Sequence, residues 1–211
     1  MKVLLVNGSP HKNGCTNRAL EEVARTLKQE GVGTEIYWIG AKPVGGCMGC
    51  FQCEKLGKCV IDDGVNEFRQ KAYEADGFVF GSPVQYAGMS GNLTGFMDRL
   101  FFSEFIGNKN RAFYLKPAAA VVSARRAGTT SVFSQINKYF TVQEMPVIST
   151  RYWNMVHGMD AKEVEQDGEG LFNMRVLGRY MAYFLKCKEA AAKIGVPLPE
   201  QEAPVFTNFV R

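Results

Sequence analysis

Val3-Leu4-Leu5-Val6-Asn7-Gly8-Ser9-Pro10-His11-Lys12-Asn13-Gly14-Cys15-Thr16-Asn17 is the stretch that decides the fold. Its first four residues are apolar without alternation, as in a parallel strand covered on both faces. Beyond it, Leu20, Val23, Ala24 and Leu27 recur at helical spacing. Asn7 to Asn17 is therefore a strand-to-helix turn, longer than the roughly two to six residues that usually join such elements. The first N–H groups of a helix have no intrahelical acceptor, and the helix dipole favours negative charge there. Ser9, Thr16 and Asn17 could serve only as helix caps. The length and polarity of the turn favour a bound phosphate.

Working outward, the same alternation repeats. The pattern predicts strands at residues 2–7, 34–39, 77–82, 117–123 and 145–149. It predicts helices from about residue 16 to 30, after Asp62 or Asp63, after Gly91, around Val132 to Phe140, and from 171 to about 194. Residues 101–111 and 152–170 read as irregular connections. Five strands alternating with helices predict an α/β, doubly wound, three-layer αβα domain with a five-stranded parallel sheet. Right-handed crossovers place the strand C-termini on one rim, where ligands bind at the switch point. Polar, Gly-containing turns follow the first, third and fourth strands, at 7–17, 82–91 and 123–130. In the order 2-1-3-4-5 these strands are neighbours, so the three loops converge on one crevice. The domain is expected to span 1–194, with a cysteine-rich loop at 40–61, followed by a C-terminal tail at 195–211.

The chain has 211 residues, an apolar fraction of 46% and a formal net charge of +4. These allow a sizeable core and show no basic stripe interleaved with aromatics, so nucleic acid is not expected as a partner. No apolar run reaches membrane-spanning length and no leader pattern is present, so a cytoplasmic location is expected. Six cysteines in such a chain call for a metal or redox reading.

The crevice lacks the dinucleotide G-x-G-x-x-G and its acid, and Gly14-Cys15-Thr16 lacks the lysine of a nucleotide-triphosphate loop. A terminal phosphate held by neutral donors remains, and FMN suits this strand order. Gly8-Ser9-Pro10-x-Lys12-x-Gly14-x-Thr16, then Ser82-Pro83-Val84-x-Tyr86, Ser90-Gly91-x-Leu93 and Asp98-Arg99, resemble the NADPH-dependent FMN reductase family of the flavodoxin-like fold. The likeness runs from Met1 to about Lys186. It implies that Ser9, His11, Asn13, Cys15, Thr16 and Asn17 surround the FMN phosphate. It implies that Pro83, Val84, Gln85, Tyr86 and Gly88 run along the isoalloxazine. Ser123, Ala124, Arg125, Arg126 and Gly128 would cover its other end. His11 stands where the family usually has arginine and Cys15 where asparagine is usual. A neutral histidine would give up a fixed charge against the phosphate.

Cys47-x2-Cys50-x2-Cys53-x5-Cys59 begins with bacterial-ferredoxin spacing, then has a longer last gap and no following proline. The motif resembles that of the iron–sulfur flavoproteins, relatives within the same family whose four cysteines hold a [4Fe–4S] cluster. Zinc and four free thiols are the alternatives. Cys187 reads as a small buried residue. Asp98-Arg99 reads as a solvent-side ion pair or a structural pair to a loop. Arg125-Arg126 fits either a dinucleotide phosphate or acidic substrate, or a solvated turn. Tyr152 to His157 suggests a site wall or a subunit contact, and Phe101, Phe102 and Phe105 a subunit contact. His157 is a candidate proton donor or a plain hydrogen-bonding residue.

The resulting expectation is an enzyme: an FMN-dependent NAD(P)H oxidoreductase with no catalytic side chain of its own. It would reduce a small acceptor such as a quinone, nitro compound, flavin or metal ion. The alternative is an iron–sulfur flavoprotein carrying electrons between FMN and a ferredoxin-like redox protein. A redox sensor using the four thiols is a third reading. A homodimer or homotetramer is expected from the resemblance.

Overall fold

The apolar runs become the strands of one sheet. The computed structural model describes residues 1–207 and 209; Asn208, Val210 and Arg211 of the expected tail lie outside the described residues. In chain order the elements are β1 (Lys2–Asn7), α1 (Cys15–Gln29), β2 (Gly33–Trp38), α2 (Gln52–Leu56), α3 (Gly64–Tyr73), β3 (Gly77–Gln85), β4 (Gly88–Met89), α4 (Gly91–Asn108), β5 (Ala118–Ala124), α5 (Thr129–Val142), β6 (Met155–His157), α6 (Ala161–Val164) and α7 (Gly168–Lys193). The parallel order is β2-β1-β3-β5-β6, with β4 folding back on β3 as a short antiparallel hairpin. Counted over the parallel strands alone, this is the expected 2-1-3-4-5.

Alternate residues of the central strands face opposite layers. Leu4, Val6, Phe78, Phe80, Ala118, Ala120 and Val122 pack with residues of α3, α4 and α5. Val3, Leu5, Val79, Ala119 and Val121 pack with residues of α1 and α7. Burying both faces of each strand is what removes alternation from the sequence and leaves continuous apolar runs.

The fifth strand lies later than expected. Residues 145–149 make only an isolated bridge, Val147 beside Ala118. The chain then bulges outward and resumes pairing as β6, where Met155, Val156 and His157 lie beside Val122, Ser123 and Ala124. Asn154 closes the gap: its carbonyl accepts from Val122 N at 2.9 Å and its side-chain amide donates to Ala120 O at 3.0 Å. A side chain thus supplies a bond that the interrupted backbone cannot.

Three other expectations change. Residues 101–108 continue α4 instead of forming a connection, and Phe101 lies in the core among Phe80, Phe113 and Phe140. The stretch 152–170 contains β6, α6 and the start of α7. Cys187 is exposed, on an outward turn of α7. No helix among the described residues is long and apolar enough to cross a membrane.

Candidate functional site

The loop after β1 is held by its own side chains. Asn7 is fully buried; its Oδ1 accepts from Ser9 N at 3.0 Å, and its Nδ2 donates to Lys12 O at 3.1 Å and to Asn17 Oδ1 at 3.3 Å. Ser9 Oγ accepts from His11 N, and Trp38 Nε1 donates to Ser9 O at 2.8 Å. Gly8 lies against β3: a Cβ there would meet Gly81 O and Leu93 Cβ, each at 2.8 Å. The N-cap of α1 is Gly14, which offers no side-chain oxygen to the first turn. The opening N–H groups of α1 therefore face the cleft without a side-chain cap, as an anion site needs.

The three loops do meet. A cleft of about 470 Å³ is lined by Ser9, His11, Asn13, Gly14, Cys15 and Thr16 from the first, Pro83 and Val84 from the second, and Ser123, Ala124 and Arg125 from the third. At its base Thr16 Oγ1 and Ser123 Oγ lie 2.8 Å apart, both residues buried. A volume of this order suits a nucleotide-sized ligand. One end offers neutral donors and the other the apolar faces of Pro83 and Val84.

Six expected residues stand elsewhere. Asn17 is turned to Asn7 and to Glu21. Gln85 and Arg126 are exposed beside the cleft but do not line it. Tyr86 occupies the tip of the β3–β4 hairpin, fully exposed, with φ of 48°. Gly88 lies in β4, also outside the cleft lining. Gly128 supports the cleft from outside: with φ of +94°, it sits where a Cβ would be 2.8 Å from Val84 Cγ1 and 3.0 Å from Ala87 Cα. That closeness holds the third loop against the hairpin.

A fourth wall, Gly158 to Ala161, was not expected. Asp160 caps α6, its carboxylate accepting from Lys162 N and Glu163 N at 2.8 and 2.9 Å. Cys15 Sγ donates to Gly158 O at 3.4 Å, and burial pushes its thiol pKa up. Cys15 thus joins α1 to this wall. His157 N donates to Asp167 Oδ2 at 2.7 Å, while its side chain lies outside the cleft lining. Asn7 and Trp38 were also missed as supports. Asn7 had a signal in sequence, a buried-strand terminus followed directly by Gly-Ser-Pro; Trp38 had none.

The second site is a cavity of about 20 Å³ lined by Cys47, Cys50, Cys53 and Cys59, with Met48, Phe51, Phe102 and Arg99. The loop lies on α4. Asn92 Oδ1 accepts from Val44 N and its Nδ2 donates to Lys42 O. A Cβ at Gly95 would be 2.7 Å from Val44 O, and one at Gly107 would be 2.5 Å from Cys53 O. Gly95, Arg99, Ser103 and Gly107 recur every four residues, so one stripe of α4 carries the loop. Arg99 is 1% exposed. It pairs with Asp63 and with the cysteine loop, the structural pair to a loop that was one of the two expectations; the solvent-side pair does not form, and Asp98 accepts from Tyr139.

Burial, joined by the neighbouring Cys47, Cys50 and Cys59, raises the Cys53 thiol pKa. Burial would also raise that of Asp63, but the bonds from Arg99 and Val65 N outweigh it and hold the carboxyl below its usual range. Four thiols and no imidazole around one cavity are the donor set of a soft-metal centre. Among the described residues no three Cys, His, Asp or Glu side chains are already at metal-holding distance. The cavity has room for about one water molecule. Cys47 and Cys50 are exposed and Gly45, Gly46 and Gly49 flank them. The donor chemistry therefore fits an iron–sulfur cubane.

Comparison with known proteins bears on both sites. A family profile described as NADPH-dependent FMN reductase matches residues 1–160. An iron–sulfur flavoprotein of Methanocaldococcus jannaschii is 32% identical over 194 residues, covering 88% of this chain and 98% of its own. One from Methanosarcina thermophila is 27% identical, covering 81% and 88%. Among solved structures, RosB with a bound riboflavin-5'-phosphate derivative superposes with a TM-score of 0.71 at 14% identity, covering 100% of this chain and 94% of its own. A flavodoxin from the domain Archaea gives 0.58 at 18% identity, covering 88% and 99%. These two establish likeness of fold.

Proposed function

The chain belongs to the NADPH-dependent FMN reductase family of oxidoreductases, and we propose that it binds FMN in the cleft and a [4Fe–4S] cluster on Cys47, Cys50, Cys53 and Cys59. In this reading NAD(P)H is the electron donor and a ferredoxin-like redox protein the partner. When bound, FMN supplies hydride acceptance and one- or two-electron donation, and the cluster supplies single-electron transfer.

The chain's residues bind and orient. The uncapped start of α1, with Ser9 and Thr16, presents neutral donors to the FMN phosphate. Pro83 and Val84 offer an apolar wall to the ring system, and Ser123 to Arg125 close the far end. His11, exposed at the mouth, lies where it can approach the phosphate. The lining has no activated nucleophile, so the chain positions the cofactor and leaves the bond changes to it.

The observation that carries the cluster is the gathering of all four thiols around one cavity on a fixed helical base. A second reading, reduction of a small quinone, nitro compound, flavin or metal ion, draws on the open cleft mouth and exposed Arg125. Assembly as a homodimer or homotetramer belongs to the same proposal. It is supported by exposed Tyr152 and Trp153, which pack on each other with ring centroids 4.9 Å apart.

Anaerobic purification, a visible spectrum and iron and sulfide analysis test both cofactors. FMN released on denaturation, with iron and sulfide each near four per chain, is the expected result. Colourless protein that takes up no FMN, or zinc in place of iron, overturns the corresponding half. Stopped-flow bleaching by NADPH, followed by oxidation with ferredoxin or with a quinone, separates the two readings of the acceptor.

A further inference from the structure

Arg99 is the one buried cation at the cysteine cavity, and its bonds share out its whole guanidinium. Nε donates to Cys59 Sγ at 3.2 Å. Nη1 and Nη2 form a two-point pair with Asp63, both at 2.8 Å. Nη2 also donates to Ile61 O at 2.9 Å, and Nη1 to Gly45 O at 3.4 Å. One side chain therefore holds both ends of the cysteine loop, before Cys47 and after Cys59, while donating to a thiol directly. Lysine could not reproduce this, because it lacks the planar fork.

A buried charge needs a reason, since taking it out of water carries a cost that a single partner rarely repays. Asp63 neutralises Arg99 on one side. On the other side Nε, which Asp63 does not engage, donates to the Cys59 sulfur. Reduction adds one negative charge to a cluster, and N–H donors to the ligand sulfurs together with local net charge set how readily it is accepted.

We infer that Arg99 is the positioning and charge-setting residue of the cysteine site: it fixes Cys59 for ligation and, through its bond to that sulfur, raises the reduction potential of the centre, with Asp63 as the opposing weight. This rests on the cluster assignment proposed above. The same geometry makes Arg99 and Asp63 act in opposite directions. Removing the cation lowers the potential; removing the carboxylate, with Arg99 still in place, raises it. Asparagine also caps helices well, so Asp63→Asn keeps the start of α3 intact.

The test is an EPR-monitored redox titration, with dithionite and mediators, of full-length protein reconstituted anaerobically with ferrous iron and sulfide. Wild type, Arg99→Gln, Arg99→Lys and Asp63→Asn are compared. Arg99→Gln is expected to change the reduced-to-oxidised ratio about tenfold toward oxidised at fixed poise, about 59 mV for a one-electron couple. Arg99→Lys is expected to show a smaller shift of the same sign and faster loss of iron to a chelator. Asp63→Asn is expected to move the midpoint the other way. A merely structural role for Arg99 would not produce opposite shifts. Wild type that takes up no cluster overturns the assignment, and the inference with it. A cluster whose midpoint is unmoved in Asp63→Asn and in either Arg99 variant overturns the role of Arg99 alone. If Arg99→Gln does not fold, Asp63→Asn decides: a rise supports the inference and no rise overturns it.

Discussion

The cleft loop and the cysteine loop follow neighbouring strands, yet they are built by opposite means. The cleft loop is finished before any ligand arrives. Buried Asn7 ties its backbone together, Trp38 pins Ser9 O, and Gly8 is pressed on Gly81 and Leu93. The cysteine loop has a fixed base and an open outer half. Arg99, Asn92, Gly95 and Gly107 hold its underside, while Cys47 and Cys50 remain exposed. The difference teaches where preorganisation belongs. A site that exchanges its ligand cannot wait for it to build the loop. A site that keeps a tightly bound centre can let that centre complete the fold.

The sharpest contrast is between two glycines. Gly8→Ala puts a Cβ against backbone and packed core and is expected to cost about 3 kcal/mol of global stability, with FMN binding falling in parallel. Chemical denaturation and flavin titration measure both. Gly107→Ala makes an even closer contact, with Cys53 O. That contact is with the cysteine loop and not with the sheet, so global stability is expected to change by less than about 1 kcal/mol while bound iron falls below half of the wild-type content. Equal stability losses in the two variants would erase the distinction.

A milder change probes one bond. Trp38→Phe keeps an aromatic side chain, smaller than the indole, and removes the donor to Ser9 O. Loss of one hydrogen bond, about 1 kcal/mol net, predicts roughly fivefold weaker FMN binding by fluorescence titration, with iron content unchanged. Falling iron would mean that the loops are not independent.

Acid gives the smallest effect, and under the cleft it acts through Glu22. Burial would raise the pKa of Glu22, but hydrogen bonds from Arg175, Arg25 and Arg18 outweigh it and hold it below the usual carboxylate value. Because the folded pKa is the lower one, the stabilisation is present above the unfolded value of 4.5 and is lost as the pH falls through the folded one. Glu22→Gln should therefore flatten the acid limb of a stability–pH profile, measured by thermal unfolding from pH 7 downward.

How much of this could be read in sequence depends on the range of the signal. Strands buried on both faces show as apolar runs, so the sheet and its converging loops were legible. The edge strand was misplaced because Val147-Ile148 looks more strand-like than Met155-Val156-His157. What pairs the edge there is the Asn154 side chain, which no periodicity reports. The wall at Gly158 to Ala161 had a faint local sign, Asp160 ahead of Ala-Lys-Glu as a helix cap. Arg99 was marked in sequence as one of a pair, but its partners were not, since they lie 36 to 54 positions away. The small residues Gly95, Ser103 and Gly107 at spacings of four on α4 could have indicated a close backbone approach on that stripe.

Helix α4 touches both regions. Its cap, Ser90, donates to Gly8 O at 2.7 Å, and Arg99 lies nine positions further on. At about 1.5 Å per residue, the two anchor points are separated by about 13.5 Å of rigid rod. The helix is thus a ruler, whose graduations are backbone turns and not side chains. Inserting or deleting one residue between Ser90 and Arg99 would swing the arginine about 100° around the axis, off the stripe that faces the cysteines. The length of this segment should therefore be fixed.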